Sequence, residues 1–396
     1  MGRDLGLVAL TVAAFLVSLD RAIFAPLLPA IARDLQATIA AAGLAVTAYT
    51  VPYGVCQLFY GPVADRAGKI AVVRWAVVVF ALSTGVCALA PSLPLLQLLR
   101  VLAGGAAAAV IPLSLAYIGD AVPYERRQQT IATLMGFTSL GAALSSAVGG
   151  LVGNFLSWRA LFGFSGTLGL LAAALLFRAH GGEARRAATL TGSPAKPASS
   201  ANLSGGRFGL DRYGRVLALG TARTLYVLVA LEGVAVLGGF TYMGAYLQDT
   251  FALDYLTIGL VLAANGASTL AGSRVLRRVH HRLGEHRLLL LGGLLQAGGY
   301  LLLPPLPDWR PTVIAFVVMG LGFSFFHSTL QTRATELHQE LRGTSVALFA
   351  FSLFIGGGIG TAALGWVAGE LGYVTLQLVC GVILLAITLG AATGRR

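Results

Sequence analysis

The sequence predicts an all-α membrane protein that crosses a bilayer with twelve transmembrane helices, arranged as two pseudo-symmetric six-helix bundles. Three observations predict it: too few charges for a water-facing surface, long apolar runs at regular intervals, and basic residues gathered on one side of those runs. Of the 396 residues, 56% are hydrophobic and only 11% charged, and the mean hydropathy is +0.79. A soluble domain carries about 25% charged residues, so lipid must serve as the solvent for most of this chain.

A spanning helix needs about 20 mostly apolar residues to cross roughly 30 Å of hydrocarbon. Twelve such runs are placed at 5–32, 40–64, 70–90, 94–120, 128–154, 159–178, 223–249, 256–276, 287–305, 311–334, 343–369 and 373–392. They are too long for strands and do not alternate, which excludes a barrel. Residues 1–178 form the first bundle and 223–396 the second. The Gly-, Pro- and Ser-containing stretch 179–222 reads as a flexible cytoplasmic linker, with room for a short amphipathic piece at the bilayer surface.

Alternate connections carry Arg66, Lys69 and Arg74, then Arg126 and Arg127, then Arg274, Arg277, Arg278, Arg282 and Arg287, and finally Arg342. The other side has only Arg33, Arg159 and Arg310 near its loops. The positive-inside rule then puts both termini in the cytoplasm. Abundant Arg, Ala and Gly with little Lys points to a G+C-rich prokaryote, hence to the inner (cytoplasmic) membrane. The formal charge of +12 sits in short clusters between apolar runs and faces membrane phosphates rather than nucleic acid. Cys56, Cys87 and Cys380 all lie in apolar runs and lack metal-ligand or disulfide spacing.

The halves echo each other. A shift of 216 positions puts Arg66 on Arg282, Gly68 on Gly284 and Arg126 on Arg342, and Gly141, Gly149 and Gly153 on Gly357, Gly365 and Gly369.

The turn after helix 2 reads Gly61-Pro62-Val63-Ala64-Asp65-Arg66-Ala67-Gly68-Lys69. Gly61 suits close helix approach and Gly68 a tight turn, while Asp65, Arg66 and Lys69 can form a charge network that holds one face shut. This resembles the signature loop of the major facilitator superfamily. The second copy, His281-Arg282-Leu283-Gly284, has His where the first has Asp. Leu19-Asp20 with Pro29 resembles the first-helix motif of the superfamily's twelve-helix drug:proton antiporters. Arg100 with Gly104, Pro123-Tyr124-Glu125-Arg126 and Trp158-Arg159 are similar to its later motifs. Helix 5 departs from the antiporter pattern, carrying Ser145-Ser146 where Gly-Pro is expected between Gly141 and Gly149-Gly150. The resemblance implies the major facilitator fold, with helices 1, 4, 7 and 10 lining a central cavity, and gating roles for Gly61, Asp65, Arg66, Gly68, Lys69, Arg126, Arg282 and Arg342.

Each of those four helices carries an ionisable group: Asp20 with Arg21, Arg100, Glu232 and His327. Charges inside a bilayer are costly and mark functional sites by default. Counting residues from the helix ends pairs Asp20 with Arg100 and Glu232 with His327, and these four are the expected proton-coupling residues. A helix-locking salt bridge is the bland reading of each pair, and Arg21 reads as a residue that snorkels to a cavity or interface. Candidate substrate contacts are Tyr49, Tyr53 and Gln57 on helix 2, Phe240, Tyr242 and Tyr246 on helix 7, Asn265 on helix 8, and Phe323, Phe326 and Gln331 on helix 10. Aromatic stripes on helices are more often packing than pocket.

The expected function is proton-coupled efflux of a small amphiphilic molecule (a drug, sugar or metabolite) by a monomer working through alternating access. An uptake symporter or uniporter of the same fold remains open, as does a transport-inactive sensor or scaffold. No Walker A sequence, catalytic triad set or metal-ligand pair is visible, so neither an enzyme nor a cofactor or metal is expected.

Overall fold

In the computed structural model, which describes residues 2–191, 210–304 and 306–393 (side chains of 5–179, 211–304 and 306–391), every regular element is helical. The first span is broken into α1 (Gly2–Ala22) and α2 (Phe24–Asp34). Pro26 explains the break, because it has no N–H to return to the carbonyl of Ala22 and its ring crowds that turn. The half continues with α3 (Ile39–Ala67), α4 (Lys69–Cys87), α5 (Leu93–Ala121), α6 (Tyr124–Phe155) and α7 (Trp158–Thr191).

After the short α8 (Leu210–Leu217), the seventh span is also broken: α9 (Gly220–Gly233) passes through a π-helical turn at Val234–Gly238 before α10 (Met243–Phe251). Then come α11 (Tyr255–Leu301), α12 (Arg310–Glu336), α13 (Arg342–Glu370) and α14 (Gly372–Thr393). Eleven helical stretches among the described residues are long and apolar enough to cross a membrane. The twelfth crossing is hidden in α11, whose 47 residues include Gly284 at φ 69, ψ 165. The chain doubles back there, for Gly272 and Gly292 both pack against the Leu321–Phe326 stretch of α12. The protein is therefore a multi-pass membrane protein of two six-helix bundles.

Gly68 holds the equivalent turn of the first half at φ 86. The 216-residue shift recurs in the packing, since Gly149 lies against Pro26 and Gly365 against Tyr242, itself 216 residues beyond Pro26. The Gly284 backbone lies in a region essentially closed to side chains, so Gly284→Ala is expected to cost about 1–3 kcal/mol. Gly61 is helical, with open space where a Cβ would lie, so Gly61→Ala is expected to stabilise by up to about 1 kcal/mol. Thermal denaturation of the two variants in detergent checks the contrast.

Three boundaries differ from expectation. The sixth span stays helical to Thr191 instead of ending at 178, the seventh helix begins at Gly220, and no loop separates 276 from 287 apart from Gly284. Hydropathy marks where a helix leaves lipid, whereas Ala, Arg and Glu continue it into water at little cost. Residues 192–209 of the expected linker lie outside the described residues. On the far side of that stretch, α8 docks onto the first half, with Tyr213 Oη donating to the Leu58 carbonyl at 2.7 Å.

The halves touch chiefly toward one end. Call the end bearing the Arg clusters the basic end and the other the far end. Toward the far end Gly150 lies on Gly259, where a Cβ would fall 2.6 Å from the partner Cα, and Gly244 lies on Ala25. Tyr242 reaches Gly43, and Thr47 Oγ1 donates to the Gly358 carbonyl at 3.0 Å. Small residues of this kind let helix backbones meet closely where lipid supplies no hydrophobic drive. Beyond Gly141 toward the basic end, α6 separates from its neighbours: Gln128, Gln129, Ala132, Thr133, Met135, Gly136 and Phe137 are exposed. The bundles thus splay toward the basic end. Every ion pair between described residues joins groups of one half, so rocking one bundle against the other breaks none of them.

Candidate functional site

Between the bundles lies a cavity of ≈ 360 Å³, within the usual range for small-molecule sites. The two broken spans build its centre. Arg21, Ala22, Phe24 and Ala25 come from the α1–α2 break, and Val236, Leu237, Phe240 and Thr241 from the stretch joining α9 to α10. Breaking a helix turns side chains and freed backbone toward the space between bundles, where irregular backbone is tolerated. From α6 come Thr138, Ser139, Ser145 and Ser146, so the positions where helix 5 departs from the antiporter pattern put hydroxyls on the wall. Val46 and Thr50 of α3, Asn265 and Thr269 of α11, Met319 and Phe323 of α12, and Phe354 of α13 close the rest.

Two ion pairs lie behind this wall. Arg100 Nη1 donates to Asp20 Oδ2 at 2.8 Å, with both side chains 1% exposed. The guanidinium sits among three rings, 4.1 Å from the Tyr49 centroid, 4.7 Å from Phe24 and 5.7 Å from Phe162. Such an aromatic cage offsets part of the cost of burying the charge. Asp20 Oδ1 and Arg100 Nε have no hydrogen-bond partner among the described residues.

The second pair joins His327 Nδ1 to Glu232 Oε2 at 3.1 Å, Glu232 being fully buried. Phe323, one helical turn from His327, stacks on the imidazole at 4.7 Å and also faces the cavity, so a single ring separates this pair from the cavity's contents. At the 216-residue shift Glu232 falls on Leu16 and His327 on Ile111. The pairs therefore use equivalent helices at different depths, with the Glu232 pair nearer the basic end.

Of the expected substrate contacts, Phe240, Asn265 and Phe323 line the cavity. Tyr49 and Tyr53 stack on each other at 6.0 Å and turn toward Arg100 and Phe354. Gln57 is half-buried outside the wall. Tyr242 Oη donates to the Thr361 carbonyl at 2.6 Å and Tyr246 Oη to Leu303 at 3.2 Å, both buried in packing beyond the cavity. Phe326 is fully buried in the core and Gln331 is exposed.

The expected gating residues gather at the basic end. Asp65, Arg66, Arg126, Arg282 and Arg342 are exposed there. Lys69 pairs with Asp120 across α4 and α5, and Glu285 pairs with Arg333 in the other half. Position 285 is the 216-residue equivalent of 69, while Arg333 falls on Tyr117, one turn from Asp120, so equivalent helices are tied one turn apart with the charges exchanged.

Residue spacing missed one lining group and assigned another no substrate role. Arg21 lines the cavity, its guanidinium 5.3 Å from the Phe354 ring. Gln296 also lines it, 2% exposed, with neither amide atom partnered among the described residues. Arg21 is half-buried well inside the first span and extends to the cavity, one of the two destinations expected of a snorkelling residue there.

Twelve crossings in two related bundles around a central cavity define a membrane transporter of small molecules. The sequence matches the family model of the Major Facilitator Superfamily over residues 10–361, and the chain belongs to that family. It is 28% identical over 394 residues to a chloramphenicol resistance protein of Streptomyces lividans, covering 98% of this chain and 90% of the relative. It is 25% identical over 360 residues to the MFS-type transporter YceJ of Bacillus subtilis (strain 168), covering 89% of this chain and 86% of the relative. Among solved structures, a bacterial homologue of the human lysosomal transporter Spinster, inward-facing and unoccupied, superposes with a TM-score of 0.77 at 18% identity. That likeness covers 99% of this chain and 97% of the other. A D-xylose-proton symporter gives 0.77 at 15% identity, covering 98% and 97%.

Proposed function

We propose that this protein is a proton-coupled exporter of a small amphiphilic molecule, acting as a monomer in the inner membrane with both termini in the cytoplasm. The observation that carries the reading is a pair of buried ion pairs, Asp20–Arg100 and Glu232–His327, one in each bundle behind a shared cavity. Residues 1–178 and 223–396 rock as two bodies joined through 179–222. With the basic end cytoplasmic, the splayed arrangement is the state that loads from inside. Asp20 and Glu232 carry protons, Arg100 returns Asp20 to its ionised form, and His327 relays to Glu232 through the contact they share. The loop groups Asp65, Arg66, Lys69, Arg126, Arg282 and Arg342 meet across the basic end when it closes. The likeness to a chloramphenicol resistance protein supports export.

A uniporter is the second reading, favoured by the placement of both acids outside the cavity wall. Substrate-triggered proton movement in vesicles of known orientation separates the two. A panel of amphiphilic ions, neutral antibiotics and sugars is tested on wild type and Glu232→Gln. Proton flux triggered by one class and lost in the variant supports coupling. Substrate counterflow with no proton flux in wild type overturns it in favour of the uniporter.

A further inference from the structure

We propose that the cavity takes a hydrophobic organic monoanion, with Arg21 as its charge partner and Gln296 as a hydrogen-bonding partner; this rests on the transporter reading above. Among the described residues that line the cavity, Arg21 alone carries a formal charge, and both nearby acids lie outside the wall. Asp20 is committed to Arg100 and Glu232 to His327. The Arg21 guanidinium has a ring contact with Phe354 and no carboxylate partner among the described residues. A half-buried guanidinium without a carboxylate partner keeps its donors available to a ligand, and its planar fork matches a carboxylate in two parallel hydrogen bonds.

Gln296 supplies the second, independent observation. Its amide is 2% exposed, faces the same cavity, and leaves both polar atoms without a protein partner. Buried amides are nearly always hydrogen-bonded, so this one is shaped for a polar group that arrives with the ligand. Several wall hydroxyls cannot take that role as donors, since Thr50, Thr138, Thr241 and Thr269 already donate into their own helices. Much of the remaining wall is apolar, with the rings of Phe24, Phe240, Phe323 and Phe354 set among aliphatic side chains such as Val46, Leu237 and Met319, and it suits a flat apolar body. A cationic amphiphile meets Arg21 as a like charge and no acid on the wall, so the site selects against it.

The test uses three probes of one shape: naphthoate, naphthylmethanol and naphthylmethylammonium. Equilibrium binding to the purified full-length protein is measured near neutral pH, together with counterflow of each probe in vesicles. Wild type is expected to bind naphthoate at least about tenfold more tightly than the alcohol, the size of one hydrogen bond to a charged group. Arg21→Gln brings naphthoate to the level of the alcohol and leaves the alcohol within about twofold, which also shows that the variant is folded. Arg21→Lys restores part of the preference, because the charge returns without the fork. Equal binding of all three probes, preference for the ammonium, binding of none, or equal loss of all three in Arg21→Gln overturns the proposal. Counterflow of the alcohol without preference for naphthoate rejects the anion site while leaving the transporter reading intact.

Discussion

Arg100→Met is expected to destabilise the protein by about 3–5 kcal/mol, the usual result of stripping one partner from a buried ion pair. Asp20 is 1% exposed and its only polar partner among the described residues is Arg100. Without the guanidinium, the carboxylate either stays charged in a site that cannot solvate it or takes up a proton it no longer releases. The double variant Asp20→Asn/Arg100→Met removes both charges and is expected to regain most of the loss, since a buried pair exchanged for neutral groups is often close to neutral. Thermal denaturation in detergent of wild type, both single variants and the double variant gives the coupling directly. Additive losses would mean that the two groups do not act as a pair.

Glu232→Gln has the second large expected effect, on coupling rather than on stability. Gln keeps the size and one hydrogen-bonding oxygen for His327, so the local packing around Phe323 and Phe349 is retained. Proton movement triggered by substrate is expected to fall to background while counterflow, which needs no net proton transfer, continues. Phe323 links the two events physically, because it contacts His327 on one side and the cavity on the other. Loss of counterflow together with proton flux would instead make Glu232 a structural residue.

Much of this architecture can be read from the residues. Long apolar runs and clustered Arg suffice for the crossings, and the depth of each charge along its helix is enough to bring Asp20 beside Arg100 and Glu232 beside His327. The turn at Gly284 is visible through its 216-residue partner Gly68. What spacing does not supply is rotation about a helix axis. On α3, Tyr49 and Tyr53 share a face with the expected four-residue spacing, yet the cavity face is Val46 and Thr50. One residue of offset turns a side chain by about 100°, and nothing in the local sequence chooses between the two faces. Hydropathy also conceals the breaks at Pro26 and at the π-helical turn, because both lie inside runs that stay apolar on average on either side of the break. Those breaks are what deliver Arg21 and Phe240 to the cavity. Arg21 therefore reads in the sequence as a snorkelling charge with no assigned substrate role and stands as the cavity's one formal charge among its described lining residues.

The most direct test of the account is the accumulation driven by an imposed pH gradient in vesicles containing the double variant Asp20→Asn/Glu232→Gln. The compound followed is whichever member of the panel shows counterflow through the wild-type protein. The account predicts that the variant equilibrates this compound across the membrane but no longer concentrates it. Accumulation equal to wild type would contradict the account, and would reduce both buried pairs to struts that hold the bundles in shape.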